Sequence, residues 1–178
     1  MKNSKVAKRY ARALLGLSAE HNQLEAWGEE LARLARIVEA PEVALRLESP
    51  ELSAESRIEA MAKIAEKLEL SFPLRSFAVV AARHGRIQDI PAVAESYQRL
   101  LDDLLGRARA TLVFAREPGD GDVARVVDGL KAIAGKTIIP TVTVDQSLLG
   151  GVVAELEGKI YDGSLSTQIK EAERRLGG

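Results

Sequence analysis

The spacing of apolar residues first departs from the helical period at Gly106, and that change limits what the chain can fold into. Before it, Leu, Ile, Val and Ala recur every three or four residues, the period of an amphipathic helix. After it, Ala108, Ala110, Leu112 and Phe114 alternate with Arg109, Thr111 and Val113, the period of a strand with one buried face. A chain of 178 residues that switches period in this way reads as two cores: a helical bundle over 1–105 and a small α+β domain over 106–178. The fold class is therefore mainly α, with the α+β part at the C-terminal side.

Punctuation divides the first part into six helices. Val6, Tyr10, Ala13, Leu14 and Leu17 form the stripe of the first, with Asn3 or Ser4 as its cap. Leu24, Trp27, Leu31, Leu34 and Val38 form the second, and place Trp27 in the core. Pro41 opens a short third helix with Val43, Leu45 and Leu47. Ser53 caps a fourth bearing Ile58, Met61, Ile64, Ala65 and Leu68. Ser71-Phe72-Pro73 starts a fifth bearing Leu74, Phe77, Ala78, Val80 and Ala81, which Gly85 ends. The sixth turns Ile90, Val93, Tyr97, Leu100, Leu101 and Leu104 inward. Beyond Gly106 the pattern predicts a strand, then a helix with Val123, Val126, Val127, Leu130 and Ile133, ended by Gly135. A strand follows over 137–144, where Pro140 implies a sheet edge. A hairpin about Gly158 and a last helix capped by Ser164, with Leu165, Ile169, Ala172 and Leu176 on one face, complete the reading.

Hydrophobic residues are 46% of the chain and aromatics only 4%, so the core is aliphatic and suits closely approaching helices. With no cysteine, and with His21 and His84 far apart, nothing supplies the three or four ligands a zinc site needs. No metal and no cofactor are expected. The apolar runs are too short to span a bilayer, and the basic N-terminus lacks the apolar segment of a secretory signal. A soluble, cytoplasmic protein is expected.

The search for catalytic chemistry is negative. Gly135-Lys136-Thr137 resembles the tail of a phosphate loop, but the position five residues earlier holds Leu130, not glycine. The segment also ends a helix and opens a strand, the reverse of a phosphate loop. Gly150-Gly151 lacks the third spaced glycine of a dinucleotide fingerprint, and Asp145 and Asp162 stand beside turn residues whose backbone they can bond. The chain is not expected to be an enzyme. A helical adaptor that binds nucleic acid through Lys2, Lys5, Lys8, Arg9 and Arg12 is the alternative. Against it, residues 1–105 hold fifteen Lys and Arg and sixteen Asp and Glu, a net charge of −1.

Three segments carry a resemblance. Val6-Ala7-Lys8-Arg9-Tyr10-Ala11-Arg12-Ala13-Leu14 resembles the opening of the delta subunit of F-type ATP synthases, relatives of the mitochondrial oligomycin-sensitivity-conferring protein. So do Ala82-Arg83-His84-Gly85-Arg86-Ile87 with Ile90-Pro91, and Val144 through Val153 followed by Tyr161-Asp162-Gly163-Ser164. Their order and spacing fit that family over nearly the whole chain. Two departures are Arg83, where the family often has another polar residue, and Leu165-Ser166-Thr167-Gln168, where it is commonly basic.

The resemblance implies a non-catalytic stator subunit of a proton-translocating ATP synthase. Its helical bundle would bind N-terminal segments of alpha subunits in the catalytic head, and its C-terminal domain the b subunits of the peripheral stalk. The head would then not turn with the rotor. The implied location is the cytoplasmic face of a bacterial inner membrane, peripherally and without direct insertion. No nucleic acid and no small molecule would bind. In the family the head groove lies between the first and fifth helices. The residues so implied are Arg9, Tyr10, Ala13, Leu14, Leu17, Phe77, Val80, Ala81 and His84, some of which must face the core instead. For the stalk they are Leu149, Gly150, Gly151, Val153 and Asp162.

Overall fold

The computed structural model describes residues 4–49, 51–119 and 121–163, with Ser4 and Glu48 by their backbone alone. The helix expected after Ser164 lies outside the described residues. Among those described, the helices are α1 (Ser4–Glu20), α2 (Leu24–Glu39), α3 (Pro41–Glu48), α4 (Ala54–Lys67), α5 (Phe72–Arg83), α6 (Ile90–Leu104) and α7 (Asp122–Ala134). A single 3-10 turn, Ile87–Asp89, leads into α6. The strands are β1 (Arg107–Phe114), β2 (Thr137–Val144), β3 (Val152–Leu156) and β4 (Lys159–Asp162). The expected fold class stands: helices first, then a small α+β sheet.

The chain divides into two compact units, one up to Leu101 and one from Asp102. The division comes a turn of helix before the change of period at Gly106, and the ion pairs show why. Asp102 is buried and accepts two hydrogen bonds from Arg109 of β1, at 2.6 and 3.4 Å. Asp103 lies 3.6 Å from Lys136. The last turn of α6 is thus tied electrostatically to the sheet that follows it.

The first unit has one core. Trp27, Leu31, Leu34 and Val38 of α2 meet Met61 and Ala65 of α4, Leu74, Phe77 and Ala78 of α5, and Ile90, Val93, Tyr97 and Leu101 of α6. Ala7, Ala11, Leu14 and Ser18 supply the buried stripe of α1, at helical spacing. Two alanines in that stripe let α1 lie close to the bundle. Ser53 caps α4 as expected, its hydroxyl accepting from the Ser56 amide at 3.1 Å. At the start of α5 the Ser71 amide donates to Glu30 of α2 at 2.7 Å, and the Ser71 hydroxyl makes no cap bond. A carboxylate there also meets the positive end of the helix dipole.

The second unit is a four-stranded sheet in the order β2-β1-β3-β4. β1 pairs in parallel with β2 from Arg107↔Thr137 to Phe114↔Val144, so β1, α7 and β2 form one crossover unit. β3 lies antiparallel on the other side of β1, and β4 closes a hairpin with it. β2 is an edge strand, as Pro140 required. Ala108, Ala110, Leu112 and Phe114 are buried with Leu130, Ile138, Ala154 and Leu156.

Three apolar residues expected inward are instead exposed: Leu45, Leu104 and Ile133. Each sits on a two-turn helix or in a final helical turn, where the stripe has run past the core. Arg86 pairs with Asp89 at 3.7 Å.

Candidate functional site

The segments whose composition suggested phosphate or acid–base chemistry have structural roles. Gly135 takes φ 65° as the cap of α7, and its amide donates to the Lys131 carbonyl at 2.9 Å. Lys136 forms ion pairs with Glu157 and Asp103. Asp145 accepts the Ser147 amide at 2.9 Å in a turn, and that bond, with the Ser147 side chain, holds its carboxyl below the usual range. Among the described residues no group of His, Asp and Glu is arranged to hold a metal ion.

The first candidate surface runs along α1 and α5. These helices meet where the Tyr10 and Phe77 rings pack with centroids 5.7 Å apart, tilted by 58°. The Arg9 guanidinium lies 5.9 Å from the Tyr10 ring centre, within cation–π range. The structure sorts the residues that sequence could not. Leu14, Phe77 and Ala81 are buried; Tyr10 is half-buried; Arg9, Ala13, Leu17, Val80 and His84 are exposed. Leu17 at 44% and Val80 at 37% are large aliphatic side chains left in water beside the small Ala13. An apolar strip one residue wide on each helix therefore faces outward, floored by Tyr10 and Phe77.

A second feature of this unit is not among the residues that sequence pointed to. Between α4 and α5, Phe72 is 82% exposed and borders an open groove of about 480 Å³ with Ala62, Ser76, Val79 and the same Val80. Phe72 lies in the helix-start triplet Ser71-Phe72-Pro73, where an aromatic off the apolar stripe is the available signal.

The C-terminal unit carries a cleft of about 580 Å³ where β1 ends and α7 begins. Leu149, Gly150 and Gly151 line it together with Phe114, Pro118, Val126 and Leu148. Leu149 is 77% exposed. Gly151, at φ 85°, makes the turn that brings this loop back into β3. Val153 and Asp162 are not part of the cleft. They pair with one another across β3 and β4 on the sheet face opposite Val152 and Ala154. The structure thus brings three of the five sequence candidates together and separates two. Phe114, Pro118 and Val126 were legible only as core or loop residues, because their convergence depends on the crossover.

These surfaces are shallow and outward-facing. The carboxylates at the second, Glu117 and Asp122, stand among Arg116 and Arg125, and Asp122 pairs with Arg125 at 3.0 Å. The fold is that of a two-unit protein, a helical bundle joined to a small α+β unit. The comparisons specify which. Residues 6–176 match the family model described as the ATP synthase delta (OSCP) subunit. The ATP synthase subunit delta of Desulfatibacillum aliphaticivorans is 32% identical over 177 residues, covering 99% of this chain and 97% of that one. The subunit delta of Anaeromyxobacter sp. (strain Fw109-5) is 35% identical over 173 residues, covering 96% of each. A chain in the cryo-EM structure of the Toxoplasma gondii mitochondrial ATP synthase hexamer shares the fold at a TM-score of 0.66, 15% identity and 97% coverage of both chains. This chain belongs to the ATP synthase delta (OSCP) subunit family and is a non-catalytic structural component of the ATP synthase complex. No described helix is long and apolar enough to cross a membrane.

Proposed function

We propose that the chain is the stator connector of a bacterial ATP synthase. The helical unit holds N-terminal segments of alpha subunits in the catalytic head, and the C-terminal unit holds the b subunits of the peripheral stalk. It sits peripherally on the cytoplasmic face of the plasma membrane, carried by the complex. The observation that carries this reading is the duplication of exposed apolar surface. One strip lies along α1 and α5, and one cleft opens at Leu149–Gly151, each in a separately packed unit. A protein that binds at two places on two independent cores is suited to hold two partners at once. Two linked contacts raise the effective affinity of the whole, as a stator under torque requires.

On the head side, an amphipathic helix laid along Ala13, Leu17, Val80 and His84 would bury its apolar face against the Tyr10–Phe77 floor. Ala13 allows close approach of its backbone. On the stalk side, Leu149 with Phe114, Val126 and Leu148 offers an apolar patch rimmed by Arg116, Glu117, Asp122 and Arg125, and its glycines leave room for a partner main chain. The test is affinity purification of the tagged protein from a cell that makes it, at moderate salt. Alpha, beta and b subunits should co-purify in fixed proportion. Recovery without any of them would overturn the reading.

A further inference from the structure

The head-side strip is bordered by cations that nothing in the described structure neutralises. On α1, Lys5, Lys8, Arg9 and Arg12 are all exposed, and the first acid of the helix is Glu20, at its end. No ion pair joins any of these four to a described carboxylate; Arg9 alone has a contact, with the Tyr10 ring. Their spacing is unfavourable to the helix. Lys5 and Arg9, like Lys8 and Arg12, stand four apart, where like charges repel. Lys5, in the first turn, also meets the positive end of the helix dipole, which disfavours a cation there. Local stability therefore gives no reason for this arrangement. At helical spacing, Lys5, Arg9 and Arg12 lie along the exposed side of α1 that flanks Ala13 and Leu17 away from Leu14. The apolar strip thus has a cationic margin on α1.

We infer that the helix docking on the α1–α5 strip is acidic along the flank that lies beside α1, and that the margin formed by Lys5, Arg9 and Arg12 selects it and speeds its capture. This rests on the head-binding reading above and specifies the chemistry of the partner. Opposed charge at an interface margin acts mainly on association rate and partner choice, and it fades with salt. A peptide helix is favoured over nucleic acid because the outward residues of the strip, Ala13, Leu17 and Val80, are aliphatic, and its floor aromatics pack on each other, Tyr10 half-buried against Phe77.

The full-length protein is titrated with two synthetic helical peptides that share the apolar face of an alpha N-terminal segment. One carries Glu and the other Gln at the flanking positions. The Glu peptide should bind about tenfold tighter at roughly 0.01 M salt, and most of that gap should close by roughly 0.15 M, as the Debye length falls from about 30 to 8 Å. In the triple variant Lys5→Gln, Arg9→Gln, Arg12→Gln the gap should shrink severalfold. Its melting temperature should hold or rise, because the repulsion is relieved. Equal affinity for the two peptides, with binding still abolished by Ala13→Asp, would overturn the charge inference and leave the strip as the site. Failure of both peptides to bind would overturn strip and margin together. Tighter binding of a duplex DNA oligonucleotide than of the Glu peptide, lost in the triple variant, would assign the cations to nucleic acid and overturn the inference.

Discussion

At the scale of single residues, the bundle depends on one buried polar node. Ser18 and Tyr97 are both wholly buried, with their hydroxyls 2.7 Å apart. The Tyr97 hydroxyl also reaches the Leu24 carbonyl at 2.8 Å, and the Ser18 hydroxyl the Leu15 carbonyl at 2.9 Å. The node joins the end of α1, the start of α2 and the middle of α6, where an apolar contact would have no directional preference. Tyr97→Phe removes a partner from the buried Leu24 carbonyl and should cost about 1–3 kcal/mol, read in a denaturant titration. The same residue sets a pH limit. Burial raises the Tyr97 pKa above its ordinary value, and the bond to Ser18 opposes this in part. The folded state therefore retains the phenolic proton after the unfolded chain has lost it. The contribution is fully present below about pH 10, the unfolded value, and is lost as pH rises through the folded pKa. Wild-type stability should fall more steeply than that of Tyr97→Phe above about pH 10; parallel curves would contradict this account.

At the scale of elements, nearly every helix and strand was legible from period and punctuation. The start of α3 at Pro41, the Ser53 cap of α4, the Gly135 stop of α7 and the edge position of β2 all follow from local chemistry. Which side of α1 faces water did not follow. Val6, Tyr10, Ala13, Leu14 and Leu17 cover a broad apolar arc, and only packing divides it, turning Leu14 inward and Ala13 outward. The Glu30 cap on α5 was likewise invisible, because it joins residues 41 positions apart in sequence. The division yields a paired prediction. Ala13→Asp should leave the bundle folded and weaken an alpha N-terminal peptide at least tenfold, about 1.4 kcal/mol, since a charge would enter a desolvated contact. Leu14→Asp, one residue on, should unfold the helical unit, because its carboxylate would be buried without a partner. A peptide titration beside a thermal melt reads both. An Ala13→Asp protein that melts early would mean that α1 is rotated from the orientation described.

At the scale of the whole molecule, two cores in one chain imply two folding units. Residues 1–101 contain the entire cluster from Ala7 to Leu101, and no member of that cluster comes from the sheet. That fragment alone should melt cooperatively with a helical circular-dichroism spectrum; a molten or unfolded spectrum would show that the sheet unit is needed. The same separation underlies the proposed connector role, since each surface should then fail without the other. The direct test is a ternary binding experiment with an alpha N-terminal peptide and a C-terminal fragment of the b subunit, each carrying its own fluorophore. The wild-type protein should carry both labels at once. Ala13→Asp should lose only the alpha peptide, and Leu149→Asp only the b fragment. If the two ligands exclude one another, or either variant releases both while still folded, the protein is not a connector working through two separate surfaces.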